Sequence, residues 1–123
     1  MSKQKGFQKR KEKEPKSKKR VLVEWENKRL KKVYDELPNN DPLKNKIEKV
    51  IEEIKKNPQY GQLIPQKQIP KEYKKKGFNY AFWVHLNSSW RLIYTVTSYN
   101  EVEILAIILD FFHHKDYERK FNY

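Results

Sequence analysis

The chain has 123 residues, 28 of them lysine or arginine and 16 of them aspartate or glutamate, so it carries a net charge of +12 and has room for one small domain. The absence of cysteine excludes disulfides, thiolate metal sites and cysteine nucleophiles. No apolar run approaches the roughly 20 residues needed to cross a bilayer, and the N-terminus has no apolar signal segment. We expect a soluble, cytoplasmic protein that binds no membrane and has an anionic partner such as nucleic acid.

The first segment, residues 1–20, contains ten basic and two acidic residues, with only Met1 and Phe7 as sizeable apolar side chains. Such a composition cannot bury enough surface to offset the entropy cost of ordering the chain. We therefore predict a disordered basic tail over residues 1–20 and a folded domain over residues 21–123. The tail either keeps the protein soluble or binds RNA without sequence preference by releasing counterions.

Apolar residues at three- and four-residue steps predict a first helix over residues 22–37, which Pro38 ends. They are Leu22, Trp25, Leu30, Val33, Tyr34 and Leu37. In an alternative interpretation, residues 21–23 form a short first strand and Asn27 caps a helix that begins at Lys28.

The pair Asp41 and Pro42 is typical of a helix start, with an acceptor at the N-cap followed by proline at the first helical position. Apolar residues then predict a second helix over residues 43–56. They are Leu43, Ile47, Val50, Ile51 and Ile54. Only about five residues separate the two helices, so we expect them to pair as an antiparallel hairpin.

A connection of about twenty residues without clear periodicity follows the second helix. Three stretches rich in aromatic and β-branched residues come next, at residues 80–86, 90–97 and 102–111, and they predict a meander of antiparallel strands. The expected fold class is α+β, with the N-terminal helical hairpin packed on one face of a small antiparallel sheet of three to four strands.

The register of the first strand hairpin follows from the separation of its two faces. If the loop between the strands has three residues, 87–89, then Phe82 and Val84 share an apolar face with Leu92. His85 and Arg91 then lie together on the face away from the helices. A loop of two residues would instead place His85 among apolar side chains.

The common enzyme motifs are absent, because the chain has only three glycines and no HExxH or GxSxG sequence. Cleavage of RNA by a ribose 2′-hydroxyl requires a base, a proton donor and a cation near the phosphate. Groups suited to these roles are concentrated near the end of the predicted sheet: His85, Arg91, His113, His114, Lys115, Tyr117 and Arg119.

Arg91 is the most informative of these residues, because its planar guanidinium matches a phosphate. It could instead pair with Glu103 on an open sheet face, and the histidines could simply be solvated. His113, His114 and Asp116 could be metal ligands, but adjacent residues of a strand point in different directions and no third histidine lies at helical spacing, so we expect no metal ion there. The run of Lys74, Lys75 and Lys76 either forms a solvated loop surface or guides a phosphate backbone.

Three motifs after two amphipathic helices together resemble the RelE/ParE toxin superfamily, particularly archaeal-type RelE-like toxins. They are IPKEYKKKG at residues 69–77, WRLIYTV at residues 90–96 and HHKDYERKFNY at residues 113–123. The resemblance covers residues 21–123 and implies the toxin of a type II toxin-antitoxin pair. It also implies a cognate antitoxin partner and no cofactor.

The resemblance to the RelE branch implies an endoribonuclease that cuts mRNA on the ribosome. By this likeness, Arg91 corresponds to a phosphate-binding arginine and Tyr117 to a tyrosine near the C-terminus that stacks on the nucleotide or orients it. His113, His114 and Lys115 occupy the basic stretch before that tyrosine. Relatives of the ParE branch share the fold but inhibit DNA gyrase, so a non-enzymatic inhibitor is the first alternative. A general RNA-binding module is the second.

Overall fold

A computed structural model describes residues 19–98, 100–113 and 115. Strand β1 (Arg20–Trp25) is followed by helices α1 (Lys28–Asp35) and α2 (Pro42–Lys56). A short strand β2 (Gln62–Leu63), a 3₁₀ turn (Gln66–Gln68) and a short helix α3 (Lys71–Lys75) come next. Strands β3 (Phe82–His85), β4 (Trp90–Ser98) and β5 (Glu103–His113) complete the described fold.

The five strands form one sheet in the order β1-β5-β4-β3-β2. Strands β2, β3, β4 and β5 pair antiparallel with one another in succession, which confirms the predicted meander. Strand β1 runs parallel to β5, with Arg20 opposite Glu103 and Trp25 opposite Ile108. The α+β class is thus confirmed, but within residues 19–98 and 100–113 the sheet has five strands where three to four were predicted, and one pair is parallel.

The prediction of a helix from residue 22 is wrong, and the alternative with a first strand is correct. Val21 and Val23 alternate onto the face that packs against the helices, which is the period of a strand. The side chain of Asn27 then accepts a hydrogen bond of 2.8 Å from the Leu30 amide and caps α1. Leu22 and Trp25 are three residues apart, and this spacing fits one face of a helix. In the strand that actually forms, the two residues lie on opposite faces.

The second helix is confirmed, together with its start. The Asp41 carboxylate accepts a hydrogen bond of 2.8 Å from the Leu43 amide, Pro42 occupies the first turn, and Ile47 and Ile54 are fully buried. Residues of α1 and α2 enter one apolar cluster with the sheet, and the Tyr34 hydroxyl donates to the Glu48 carboxylate at 2.9 Å. The antiparallel arrangement of the two helices stays a prediction.

The connection after α2 covers the second face of the sheet. Ile64, Ile69 and Tyr73 from this connection are buried against Ile93 and Leu109 of the sheet. The middle of the face away from the long helices is therefore packed, whereas His85 at the loop end of that face is exposed. A bulge in β5, between the partners of Ile93 and Tyr94, leaves Leu109 unpaired in the ladder and in contact with this layer.

No helix in the described part of the chain is long and apolar enough to span a membrane. The predicted tail lies outside the described residues except for its last two positions, and Arg20 is the first residue of β1.

Candidate functional site

The hairpin between β3 and β4 positions the first pair of candidate residues. The Asn87 side chain accepts hydrogen bonds from the amides of Ser89 (2.7 Å) and Trp90 (2.9 Å), and the Leu86 amide donates to the Trp90 carbonyl at 2.8 Å. These contacts close a three-residue loop, as predicted. Register then places His85 directly opposite Arg91.

Trp83 supports this pair from the same face. The guanidinium carbon of Arg91 lies 4.8 Å from the centroid of the Trp83 ring, which is the geometry of a cation-π contact. The His85 ring meets the Trp83 ring edge to face at 4.6 Å. The three side chains thus form one cluster at the loop end of β3 and β4, which we call the Arg91 cluster.

The pKa of His85 is lowered from its ordinary value of 6.5, first by local desolvation and then by the positive charge of Arg91, although the residue as a whole is exposed. Its imidazole is accordingly neutral at pH 7, and a neutral imidazole can accept a proton. The Arg91 cluster therefore combines a permanent cation with a proton acceptor.

His113 lies at the same end of the sheet but on the other face. It is opposite Trp90, with a ring separation of 5.9 Å, whereas Arg91 is opposite Phe112. The Nδ1 atom of His113 accepts a hydrogen bond of 3.2 Å from the Lys115 amide. The structure thus brings His85 and Arg91 together and separates His113 from them. His114, Tyr117 and Arg119 lie outside the described residues.

The three predicted lysines lie at the exposed end of α3. Lys74 and Lys75 are in its last turn, and Lys76 is its C-cap. The Lys76 ammonium lies 3.0 Å from the Glu26 carboxylate and contributes to lowering the pKa of Glu26, although a hydrogen bond from the Asn27 side chain has the larger effect. Lys76 therefore connects α3 to the end of β1.

Three carboxylates lie around a different cleft of about 370 Å³. Glu26, Glu72 and Asp110 line it beside Tyr73, and the pKa of Tyr73 is raised first by burial and then by these negative charges. None of the three residues of the Arg91 cluster lines this cleft.

Strand alternation predicts that Trp83 shares a face with His85 and Arg91, because alternate residues of a strand point to the same side, and the role considered for its ring was stacking on a base. The contact between ring and guanidinium depends on side-chain rotamers, which the pattern does not specify.

The family model for the ParE toxin of type II toxin-antitoxin systems matches residues 27–117, which include α1, the complete Arg91 cluster and most of the sheet. No curated protein and no solved structure matches the chain. The match extends over well more than half of the sequence, and the chain therefore belongs to the ParE toxin family, within the RelE/ParE superfamily of type II toxin-antitoxin systems.

Proposed function

We propose that this toxin is an endoribonuclease that cleaves mRNA on translating ribosomes, with the Arg91 cluster as the centre of its active site. The observation that carries the proposal is the pairing of His85 with Arg91 on one strand hairpin, supported by the Trp83 ring. Membership of the family implies a cognate antitoxin, and we place the protein in the cytoplasm, where its proposed substrate is found.

Arg91 would bind the scissile phosphate. A guanidinium offers two parallel N–H donors to phosphate oxygens and keeps its charge at every physiological pH. The negative charge on those oxygens increases as the 2′-hydroxyl attacks, so the contact is stronger in the transition state than in the ground state. The Trp83 ring beneath the guanidinium limits its rotation, which reduces the entropy lost when the phosphate binds.

His85 would accept the proton of the attacking 2′-hydroxyl. It adjoins the phosphate-binding residue, and its lowered pKa keeps it in the neutral form that a base requires. The 2′-oxygen then forms a bond to phosphorus, the bond from phosphorus to the 5′-oxygen breaks, and the leaving oxygen takes up a proton. We retain His114 and Tyr117 as proposed donors of that proton, with Lys74, Lys75, Lys76, Lys115 and Arg119 as proposed backbone contacts.

The test is to map mRNA ends on translating ribosomes after addition of the purified toxin. We expect Arg91→Ala to lower the cleavage rate by about 100-fold, because a charge-assisted contact made mainly in the transition state contributes roughly 3 kcal/mol. Arg29→Ala is the matched control, since it removes the same charge from an exposed position on α1. Equal rates for the two variants would contradict the assignment of Arg91.

The role of His85 has a separate test. Arg91→Gln should raise the pKa of His85 towards 6.5, because it removes one of the two causes of the lowered value. NMR titration of the His85 ring measures this shift without any substrate. In the parent enzyme, the rate should decrease on the acidic side with a midpoint below pH 6.5. His85→Gln should remove this decrease.

A non-enzymatic inhibitor of gyrase or of translation is the second candidate, and the match to the ParE family favours it. The same preparation should therefore be added to a gyrase supercoiling reaction. Loss of supercoiling activity with intact mRNA on the ribosome would replace the first proposal with this one. Cleavage of mRNA with unaffected gyrase would support the first.

A further inference from the structure

Strand β1 forms one edge of the sheet, and its outer side faces a groove. The groove has a volume of about 540 Å³ and is lined by residues 19–24 and by Lys55. Within the described part of the chain, β1 has a strand partner only on its inner side, where it pairs with β5. An uncovered strand edge presents backbone donors and acceptors that another strand can use.

The direction of these backbone groups follows from the pairing with β5. The Arg20 amide donates to the Val102 carbonyl at 3.0 Å and the Glu26 amide donates to the Ile108 carbonyl at 2.9 Å, so the even-numbered residues of β1 direct their amides inwards. Backbone groups alternate sides along a strand. Val21 and Val23 therefore direct their amides and carbonyls towards the groove.

The charges of β1 match those of a second copy of β1 that runs antiparallel to it. Arg20, Leu22 and Glu24 share one face, and Arg20 and Glu24 are exposed. In an antiparallel pair of two β1 strands centred on Leu22, Arg20 of each copy lies opposite Glu24 of the other. Val21 then lies opposite Val23, and these are the residues whose backbone groups point outwards. A shift of the centre to Val23 would place Arg20 opposite Glu26, whose carboxylate is only 17% exposed and already lies 3.0 Å from the Lys76 ammonium. A shift to Val21 would place Arg20 opposite Leu22 and Glu24 opposite Lys18. Centring on Leu22 is therefore the register that pairs the two exposed charges of β1 with each other.

We propose that the outer edge of β1 is a self-association surface, and that a second copy of this chain pairs with it antiparallel about Leu22. The interface is isologous, as expected for a symmetric dimer, and joins two sheets into one. Opposite charges facing each other across an antiparallel pair are stabilising, and like charges are destabilising. Because the ladder is short, the dimer belongs at the weak end of interface sizes and should depend on protein concentration.

Arg20 also forms an ion pair within its own chain. The Arg20 guanidinium lies 2.6 Å from the Glu103 carboxylate on β5, and Arg20 is 72% exposed. Guanidinium has five N–H donors, so it can contact Glu103 and a carboxylate of the second copy together. An exposed pair of this kind contributes at most about 1 kcal/mol, so the fold should survive replacement of Arg20.

The experiment is sedimentation equilibrium of the full chain over a concentration series, at about 0.15 M salt, where long-range repulsion between two basic chains is screened. The parent should show a concentration-dependent dimer. Arg20→Glu alone and Glu24→Arg alone should each weaken it roughly tenfold or more, because two attractive pairs become two repulsive ones. Glu36→Arg, an exposed charge reversal beyond the edge, should leave the dimer unchanged.

Two further samples distinguish pairing across the axis from a general charge effect. An equal mixture of the two single variants should form a heterodimer, because every charged pair is then opposite in sign. The double variant Arg20→Glu with Glu24→Arg should also dimerise, because it restores opposite charges across the axis. Both this variant and Arg20→Glu lack the contact from Arg20 to Glu103, so loss of that contact cannot explain a difference between them. The proposal would be overturned if the parent is monomeric at all concentrations. It would also be overturned if the mixture forms no heterodimer although circular dichroism shows that both variants are folded. The outcome is independent of the proposed ribonuclease activity.

Discussion

Replacement of Tyr94 by phenylalanine tests how the connection after α2 is attached to the sheet. Tyr94 is fully buried, and its hydroxyl donates to the Pro58 carbonyl at 2.9 Å and accepts from the Gly61 amide at 2.8 Å. A Cβ at Gly61 would lie only 2.9 Å from the Trp83 carbonyl oxygen, so the chain passes very close to β3 at this point. The hydroxyl thus satisfies two backbone groups where the connection meets the sheet.

Loss of this hydroxyl leaves one donor and one acceptor, both partly buried, without their partner. A fully buried group of this kind costs about 1–3 kcal/mol, and partial access of water lowers that cost, so Tyr94→Phe should lower the free energy of unfolding by about 2–4 kcal/mol. Urea unfolding followed by circular dichroism at neutral pH measures this change. Tyr80→Phe is the matched control, because the Tyr80 hydroxyl also donates to a backbone carbonyl, that of Val96, but Tyr80 is 42% exposed and water can replace it.

The same hydroxyl predicts a dependence on alkaline pH. Burial raises the pKa of Tyr94 from 10.0 to about 12, so the folded chain keeps its proton while the unfolded chain loses it. The contribution of Tyr94 to stability is therefore complete below pH 10 and is lost as pH rises from 10 towards 12, with a total of roughly 3 kcal/mol. The difference in stability between parent and Tyr94→Phe should shrink over that interval. A destabilisation no larger than that of Tyr80→Phe, or one that does not change with pH, would refute this reasoning.

Two further predictions concern the helices and the tail. Lys44 is 8% exposed, and its ammonium donates to the Leu37 carbonyl at 3.1 Å and to the Asn39 side chain at 3.2 Å. Lys44→Met should therefore cost about 2 kcal/mol in urea unfolding, against almost nothing for Lys49→Met on the exposed side of α2. Removal of residues 1–18, which contain eight basic and two acidic residues, should weaken non-specific RNA binding and its salt dependence while leaving the unfolding transition unchanged. An unchanged salt slope, measured by fluorescence anisotropy, would remove the tail from RNA binding.

The elements that could be predicted from sequence are those with strong local signals. Asp41 and Pro42 fix the start of α2 through a cap and a preset backbone angle, and both are visible in the sequence. The register of β3 and β4 followed from the separation of polar and apolar faces, which a one-residue slip would have destroyed. That register was also enough to bring His85 and Arg91 together.

Features that depend on distant contacts could not be predicted in the same way. Val21 and Val23 form a strand because β5, about 80 residues later, offers them a partner and α2 covers them. The connection after α2, which covers the second face of the sheet, consists of elements of two to five residues. Such elements are too short to show the hydrophobic periodicity of a helix or a strand. His113 was grouped with Arg91 because both lie near the end of the sheet, but the register of β4 and β5 assigns them to opposite faces.

The two proposed surfaces occupy different parts of one sheet and are compatible with each other. The Arg91 cluster lies on β3 and β4, whereas the self-association edge is β1, and β5 separates β1 from β4. Pairing of two chains through β1 would therefore leave both clusters uncovered by the interface. It would also neutralise Arg20 and Glu24 locally while doubling the net charge of the particle from +12 to +24. Because attraction to a polyanion increases with the number of phosphates contacted, a dimer should bind RNA with a steeper salt dependence than a monomer.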